Sequence, residues 1–164
     1  MTDFEKIYDK YFKDVYLYIR RLSGSEDIAE EVTSETFYKA IQSIHTFRGD
    51  CDLRVWLCQI AKNCYFTEQK KAGREESRER QELPGDQESP EQRIIREEEA
   101  ARIRRILHTI PDPYKEVFMW RVFAEMSFRE IGSLFRKSEN WACVTYHRAR
   151  KMIRERLEEM ENEE

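Results

Sequence analysis

Apolar residues Phe4, Ile7, Tyr8, Tyr11, Phe12, Val15, Ile19 and Leu22 recur at steps of three and four, the spacing that lines one face of an α-helix. Gly24 is placed to end that helix, since glycine takes up the left-handed conformation in which helices commonly stop. Ser25 can cap the next one, where Ile28, Val32, Phe37, Ile41 and Ile44 continue the apolar stripe. A polar break follows at Arg48-Gly49-Asp50. A third helix is expected from about Leu53, with Leu57, Ile60, Ala61 and Cys64 inward and a stop near Lys70-Lys71-Ala72-Gly73. Three such helices can share one core.

From Gly73 to Ser89 the periodicity is lost, charges are dense and Pro84-Gly85 interrupts the chain. Such a composition does not offset its ordering entropy by burial, so it predicts a flexible linker. Ser89-Pro90-Glu91-Gln92 then reads as a helix start, with serine as cap, proline in the first turn and glutamine reaching back. Ile94, Ile103, Ile106, Leu107 and Ile110 form the next stripe, and Asp112-Pro113 separates it from a helix carrying Val117, Phe118 and Val122. The pattern predicts an all-α chain of two small helical domains, residues 1–72 and 90–164, joined by the linker 73–89.

Ser127-Phe128-Arg129-Glu130 has the form of a capping box, and Ile131, Leu134 and Phe135 give a short helix its inward face. Arg136-Lys137 makes a turn, after which Ser138 caps a long helix with Ala142, Tyr146, Ala149, Ile153 and Leu157 on one side. Asn140, Trp141, Thr145, Arg148, Lys151 and Arg154 fall mostly on the others. A short helix, a tight turn and a longer helix form a helix-turn-helix, whose second helix enters the major groove of duplex DNA. Between Arg148 and Arg156, the cations Arg148, Arg150, Lys151, Arg154 and Arg156 oppose only Glu155, a positive strip suited to phosphates. For Arg154 and Arg156, complementing the helix macrodipole explains the charge equally well.

Composition narrows the function classes. The 164 residues carry a net charge of -4, which excludes a protein that coats nucleic acid indiscriminately. Any DNA contact must then be local or assisted. Cys51, Cys58, Cys64 and Cys143 lack zinc-site spacing and disulfide-scaffold density, so reduced, partly buried thiols are expected. Cys143 lies early in the DNA-reading helix, where its oxidation would matter. His45, His108 and His147 are far apart, and neither a nucleophile-base arrangement nor a phosphate-cradling glycine loop is present. No catalytic activity, metal or cofactor is expected. With no secretory leader and no membrane span in the sequence, the expected location is the cytoplasm.

The first domain carries two further patterns. Glu26, Asp27, Glu30, Glu31 and Glu35 make an acidic run without a basic residue, which fits a solvated face and a favourable helix start. Phe47, Trp56, Tyr65 and Phe66 interleave with Arg48, Arg54, Lys62, Lys70 and Lys71 around Asn63. Rings beside cations suit single-stranded nucleic acid, in which bases stack while the backbone follows positive charge. Trp56 also suits a core position.

The N-terminal run "DIAEEVTSETFYKAIQSIHTFRGDCDLRVWLCQIAKN", the charged linker and the C-terminal "IPDPYKEVFMWRVFAEMSFREIGSLFRKSENWACVTYHRARKMI" together resemble a bacterial extracytoplasmic-function sigma factor of the sigma-70 family. The resemblance covers nearly the whole chain outside the linker, with the domains in the order of regions 2 and 4. It implies a subunit that binds core RNA polymerase, at the clamp helices of the largest subunit and the flap of the second largest, and directs it to promoter DNA. Asp27, Glu31, Glu35, Thr36, Phe37, Lys39 and Ala40 resemble the polymerase-binding helix. Phe47, Arg48, Gly49, Asp50, Trp56, Ile60, Asn63, Lys70 and Lys71 correspond to the reader of the -10 element, where a base leaves the stack as the strands separate. Arg129, Lys137, Ser138, Asn140, Trp141, Thr145, His147, Arg148 and Lys151 correspond to the reader of the duplex -35 element. The resemblance also implies an anti-sigma factor, often membrane-anchored, that holds the protein inactive until a signal arrives.

The chain departs from the family pattern at the turn, which reads Phe135-Arg136-Lys137-Ser138 where Leu-Gly-Ile-Ser is usual. Trp141 and Cys143 stand where smaller or basic residues are common, and a thiol lacks the paired donors by which arginine reads guanine. Two other readings fit parts of the pattern. One is a self-sufficient regulator that dimerises through the N-terminal helices, although it would be more basic. The other is a helical partner-binding module, which leaves the basic helix without a role.

Overall fold

The structure is a computed structural model; described here are residues 2–49, 51–72 and 90–163, without the side chains at 71, 72 and 93–96. Every regular element among them is helical. The chain divides into two compact units, Met1–Pro84 and Gly85–Glu164. The predicted linker 73–89, with the cap expected from Ser89, lies outside the described residues, as does Asp50.

The first unit is built on α1 (Asp3–Ser23), α2 (Glu26–Ser43) and α3 (Leu53–Ala72), with a short 3-10 turn at Ile44–Thr46. Thr2 and Glu5 form a reciprocal capping box at the start of α1. Gly24, at φ 73°, ends the helix, and its N–H donates to the Arg20 carbonyl. One residue on, Ser25 Oγ accepts from the Ile28 N–H at 3.3 Å and starts α2. Each helix packs on the other two. Val15, Tyr18, Ile19, Ala29, Val32, Leu57, Cys58 and Ala61 are almost wholly inaccessible and form the centre of the core.

In α2 the inward face differs from the stripe of large residues. Ala29, Val32, Thr33, Thr36, Phe37 and Ala40 are buried, whereas Ile41 is 50% exposed. Small and hydroxyl-bearing residues let the three helices approach closely. Thr36 tolerates the interior because its Oγ1 donates to the Val32 carbonyl at 2.7 Å.

The second unit comprises α4 (Pro90–Leu107), α5 (Tyr114–Val122), α6 (Phe128–Leu134) and α7 (Glu139–Glu163). Helix α7 packs on each of the other three. Trp120, at 1% exposure, is buried in this core with Val117, Met126, Ile131, Ala142 and Ala149. Val122, expected on the apolar stripe of α5, is instead 38% exposed, and Met119 and Trp120 take the inward positions. Arg156 on α7 donates to the backbone carbonyl of Thr109 at 2.6 Å, and also to its hydroxyl. That residue therefore ties α7 to the segment after α4, which neither the dipole nor the phosphate reading anticipates.

Candidate functional site

Three surfaces hold the residues singled out in the sequence, and each inherits its shape from the core behind it. On α2 a turn of 3.6 residues places Asp27, Glu31 and Tyr38 along the line opposite the buried face. Glu31 is exposed, Asp27 and Glu35 are half-buried, and Lys39 pairs with Glu35 at 3.2 Å. The Glu35 carboxylate beside it raises the Lys39 pKa, chiefly through their hydrogen bond. Thr36, Phe37 and Ala40, expected in the polymerase-binding set, do not reach the surface of α2. All three are buried, at 0%, 3% and 0% exposure, and form the inward side of the same helix. The side chains that the outer face offers in their place are Tyr38, 64% exposed, and Ile41. Tyr38 lies out of phase with the buried positions 29, 32, 33, 36, 37 and 40, a signal legible only when small residues are counted as core.

The second surface joins the loop after α2 to one face of α3. Gly49 adopts φ 77°, the left-handed region, with open space where a Cβ would stand. Asp52 then opens α3: its Oδ1 accepts from the Arg54 N–H at 2.8 Å and its carbonyl from the Trp56 N–H. Phe47 from the loop meets Trp56, ring centroids 5.3 Å apart and planes inclined at 50°. Trp56 is half-buried, so one part of the indole is committed to packing and the rest to the surface. Trp56, Ile60, Asn63 and Lys70 follow one another at helical spacing along a single face. Asn63, Lys70, Arg48 and Gly49 are exposed and Ile60 is half-buried. Asp50 and the Lys71 side chain lie outside the described residues.

The third surface is the helix-turn-helix. Ser127 Oγ accepts from the Glu130 N–H, and Glu130 Oε1 accepts from the Ser127 N–H, both at 3.0 Å. This closed capping box fixes where α6 begins. Its end is set by backbone: the Lys137 N–H reaches the Gly132 carbonyl at 2.8 Å and the Arg136 N–H the Ser133 carbonyl at 3.2 Å. That pair of bonds is a Schellman motif, whose pivotal residue is left-handed. Here the pivot is Arg136, at φ 56°. The missing glycine of the turn thus leaves the turn intact, at a conformational cost of roughly 1–2 kcal/mol for an L-residue. The glycine that the motif does require is Gly132. A Cβ there would stand 2.6 Å from the Ser138 carbonyl oxygen and 2.9 Å from that of Lys137.

Ser138 Oγ accepts from the Trp141 N–H at 3.0 Å and starts α7 one residue past the turn. Trp141 is half-buried against Phe135, with centroids 5.2 Å apart, so it anchors the start of the helix while showing one edge. Arg129, Lys137, Ser138, Asn140, His147, Arg148 and Lys151 are exposed. Thr145 is corrected: at 4% exposure it faces α7's core side, in phase with Ala142, Ala149 and Ile153. Val144, which sequence reasoning passed over, is 39% exposed on the outer side.

The four cysteines are thiols, Cys58 and Cys64 buried, Cys51 and Cys143 half-buried. Burial pushes the Cys64 thiol pKa up. Among the described residues no group of three His, Cys, Asp or Glu side chains is placed to hold a metal ion, and no helix is long and apolar enough to cross a membrane.

Residues 7–75 match the family model for sigma-70 region 2. The RNA polymerase sigma factor YlaC of Bacillus subtilis is 27% identical over 98% of this chain and 95% of its own length. The ECF RNA polymerase sigma factor SigW of the same organism is 25% identical over 96% and 90%. Among solved structures, the sigma factor RpoE in complex with the anti-sigma factor NepR from Bartonella quintana has the same fold, with a TM-score of 0.64 and 18% identity over 96% of this chain and 98% of that one. CnrH in complex with the cytosolic domain of CnrY gives 0.63 and 19%, over 94% and 87%. Residues 7–75 thus match a sigma-70 region 2, and over nearly its whole length the chain is similar to extracytoplasmic-function sigma factors.

Proposed function

We propose that the protein is an alternative, dissociable initiation subunit, which binds core RNA polymerase in the cytoplasm and directs it to a specific class of promoters. The observation that carries this reading is the pairing, on one chain, of a match to sigma-70 region 2 with a capped helix-turn-helix. The outer face of α2, with Asp27, Glu31, Glu35, Tyr38, Lys39 and Ile41, docks on the clamp helices of the largest polymerase subunit; the second unit contacts the flap of the second largest. The surface from Phe47 through Trp56, Ile60 and Asn63 to Lys70 takes a base from the -10 element as the strands separate. Extruding that base costs a few kcal/mol, and stacking returns about 1–3 kcal/mol per base. The exposed face of α7, with Arg129 and Lys137 beside it, holds the -35 duplex.

A net charge of -4 on the whole chain makes contacts on these small basic surfaces weak in isolation, so the polymerase complex supplies the affinity. An anti-sigma factor that covers these surfaces keeps the protein inactive. The reading is tested by transcription in vitro from a promoter library, with purified core polymerase and with or without the protein. Selective initiation from a promoter subset only when the protein is added is the expected result. Tight binding to one duplex by the protein alone, with no redirection of polymerase, would replace this reading with that of a self-sufficient regulator.

A further inference from the structure

The outer face of α7 carries one apolar side chain in its first three turns, and its position assigns it a ligand. Ala142, Thr145, Ala149 and Ile153 are buried, so the 3.6-residue period sends Asn140, Val144, His147 and Lys151 to the opposite side. Asn140, His147 and Lys151 are exposed there, and Val144 lies among them, 39% exposed. Neither helix propensity nor solvation favours valine at that position. It is β-branched, which costs a few tenths of a kcal/mol relative to straight-chain residues in a helix, and its methyls gain nothing from water.

Electrostatics and backbone both restrict what this face meets. From Asn140 to Arg154 the helix holds no carboxylate, while Arg148, Arg150, Lys151 and Arg154 are all cationic. A polyanion is complementary to such a surface, and an apolar protein partner is not. The start of α7 is fixed by the Ser138 cap at 3.0 Å and by Phe135 against Trp141. The first two turns of the second helix are the part of a helix-turn-helix that meets base edges.

We propose that Val144 reads the 5-methyl group of a thymine in the upstream duplex, and that Asn140 takes an adenine within two base pairs of it. The proposal rests on the reading of α7 as a duplex-binding helix. Thymine is the one base whose major-groove edge presents a methyl group, and apolar side chains recognise it by contact. Asparagine matches the N6 and N7 groups of adenine as a bidentate partner. Four residues of helix rise about 6 Å, against 3.4 Å per base-pair step, so the two side chains reach neighbouring steps. Cytosine at the thymine position would leave the valine methyls facing an unfilled space.

The test uses the full-length protein with core polymerase on a promoter selected from the library. Each thymine of the upstream element is replaced in turn by deoxyuracil, which removes only the methyl group. With the wild-type protein, one position is expected to lose about three- to five-fold in promoter occupancy, the value of a buried methyl group. Val144→Ala keeps a good helix former at an exposed site, and should lower occupancy on the thymine template while abolishing the response to deoxyuracil. Deoxyuracil sensitivity that is absent at every position, or unchanged in Val144→Ala, overturns the assignment to Val144, although dependence on the upstream element would persist. A protein that fails to redirect polymerase at all removes the proposal together with the function it rests on.

Discussion

The two units solve the problem of presenting a binding surface in different ways. In the first, the candidate surfaces are the outer sides of helices whose inner sides form the core: α2 buries Thr33, Thr36, Phe37 and Ala40 and turns Glu31 and Tyr38 outward. Side-chain phase sets that surface. In the second, the surface depends on a backbone junction between α6 and α7, held by two caps and a Schellman motif around Gly132 and Arg136. Changes in outward side chains should therefore alter function without stability in the first unit, whereas one atom at the junction should disturb both in the second.

The largest expected effect tests the junction. Gly132→Ala places a Cβ against two backbone carbonyls, and backbone cannot rotate away as a flexible side chain would. The clash outweighs the roughly 1 kcal/mol of helix propensity that alanine gains, and a net loss of about 2 kcal/mol is expected. Hydrogen exchange on the intact chain should show lowered protection in α6 and the start of α7, with the first unit unchanged. Equal protection in the variant would mean that the turn is not held as closely as Gly132 implies.

A contrast within α2 comes next. Thr33 and Thr36 are both inaccessible, yet only the Thr36 hydroxyl has a partner, the Val32 carbonyl; Thr33 Oγ1 is buried without one. Replacing an unsatisfied buried hydroxyl by a methyl removes its desolvation penalty. Thr33→Val is expected to stabilise the first unit by about 1 kcal/mol, and Thr36→Val to destabilise it by about as much, measured by exchange of the α2 amides. A common sign for both would show that burial alone, and not pairing, sets their contribution.

The smallest energetic effect concerns the turn. Arg136→Gly relieves the left-handed strain at φ 56° but gives back part of the gain as unfolded-state entropy, so the second unit should gain less than about 1 kcal/mol. A destabilised variant would show that the arginine side chain holds the turn. Thiol labelling gives a rate comparison in place of an energy. Cys143 and Cys51, half-buried, should react with a small alkylating agent well before Cys58 and Cys64. Cys64 is protected twice, by burial and by a thiol pKa that burial raises. Labelling of Cys64 as fast as Cys143 would place α3 differently against α2.

The sequence made the element order and the caps legible, because Ser25, Gly24, Ser127 with Glu130, and Ser138 act through local hydrogen bonds that depend on near neighbours alone. Its misjudgements concern which side of a helix faces inward. Thr36, Ala40 and Thr145 are expected on surfaces and are buried, whereas Ile41 and Val122 are expected inward and are exposed; Phe37, expected both on the apolar stripe and in the polymerase-binding set, takes the stripe position. In each case the phase is set by partner helices distant in sequence, and close packing favours small residues that a search for large apolar ones passes over. Arg136 misled for a related reason: the absence of glycine looked like a changed turn, while the closeness that demands glycine is at Gly132, four residues earlier. The set expected from the family resemblance to read the -10 element is easier to place, since Trp56, Ile60, Asn63 and Lys70 fall on one face of α3 at helical spacing. What spacing did not reveal is that Phe47 leans on Trp56 and joins the loop to that face.

The measurement that bears most directly on this account separates polymerase binding from promoter opening in the first unit. Core polymerase affinity and the rate of strand opening are measured for Glu31→Lys with Glu35→Lys, and for Trp56→Ala and Asn63→Ala. Charge reversal on α2 should lower polymerase affinity by about tenfold or more and leave opening normal once the complex is saturated. The α3 variants should bind polymerase as the wild type does, and Trp56→Ala should slow opening by about tenfold through lost stacking. Equal loss of polymerase affinity in all of them would contradict the assignment of the two faces to separate partners.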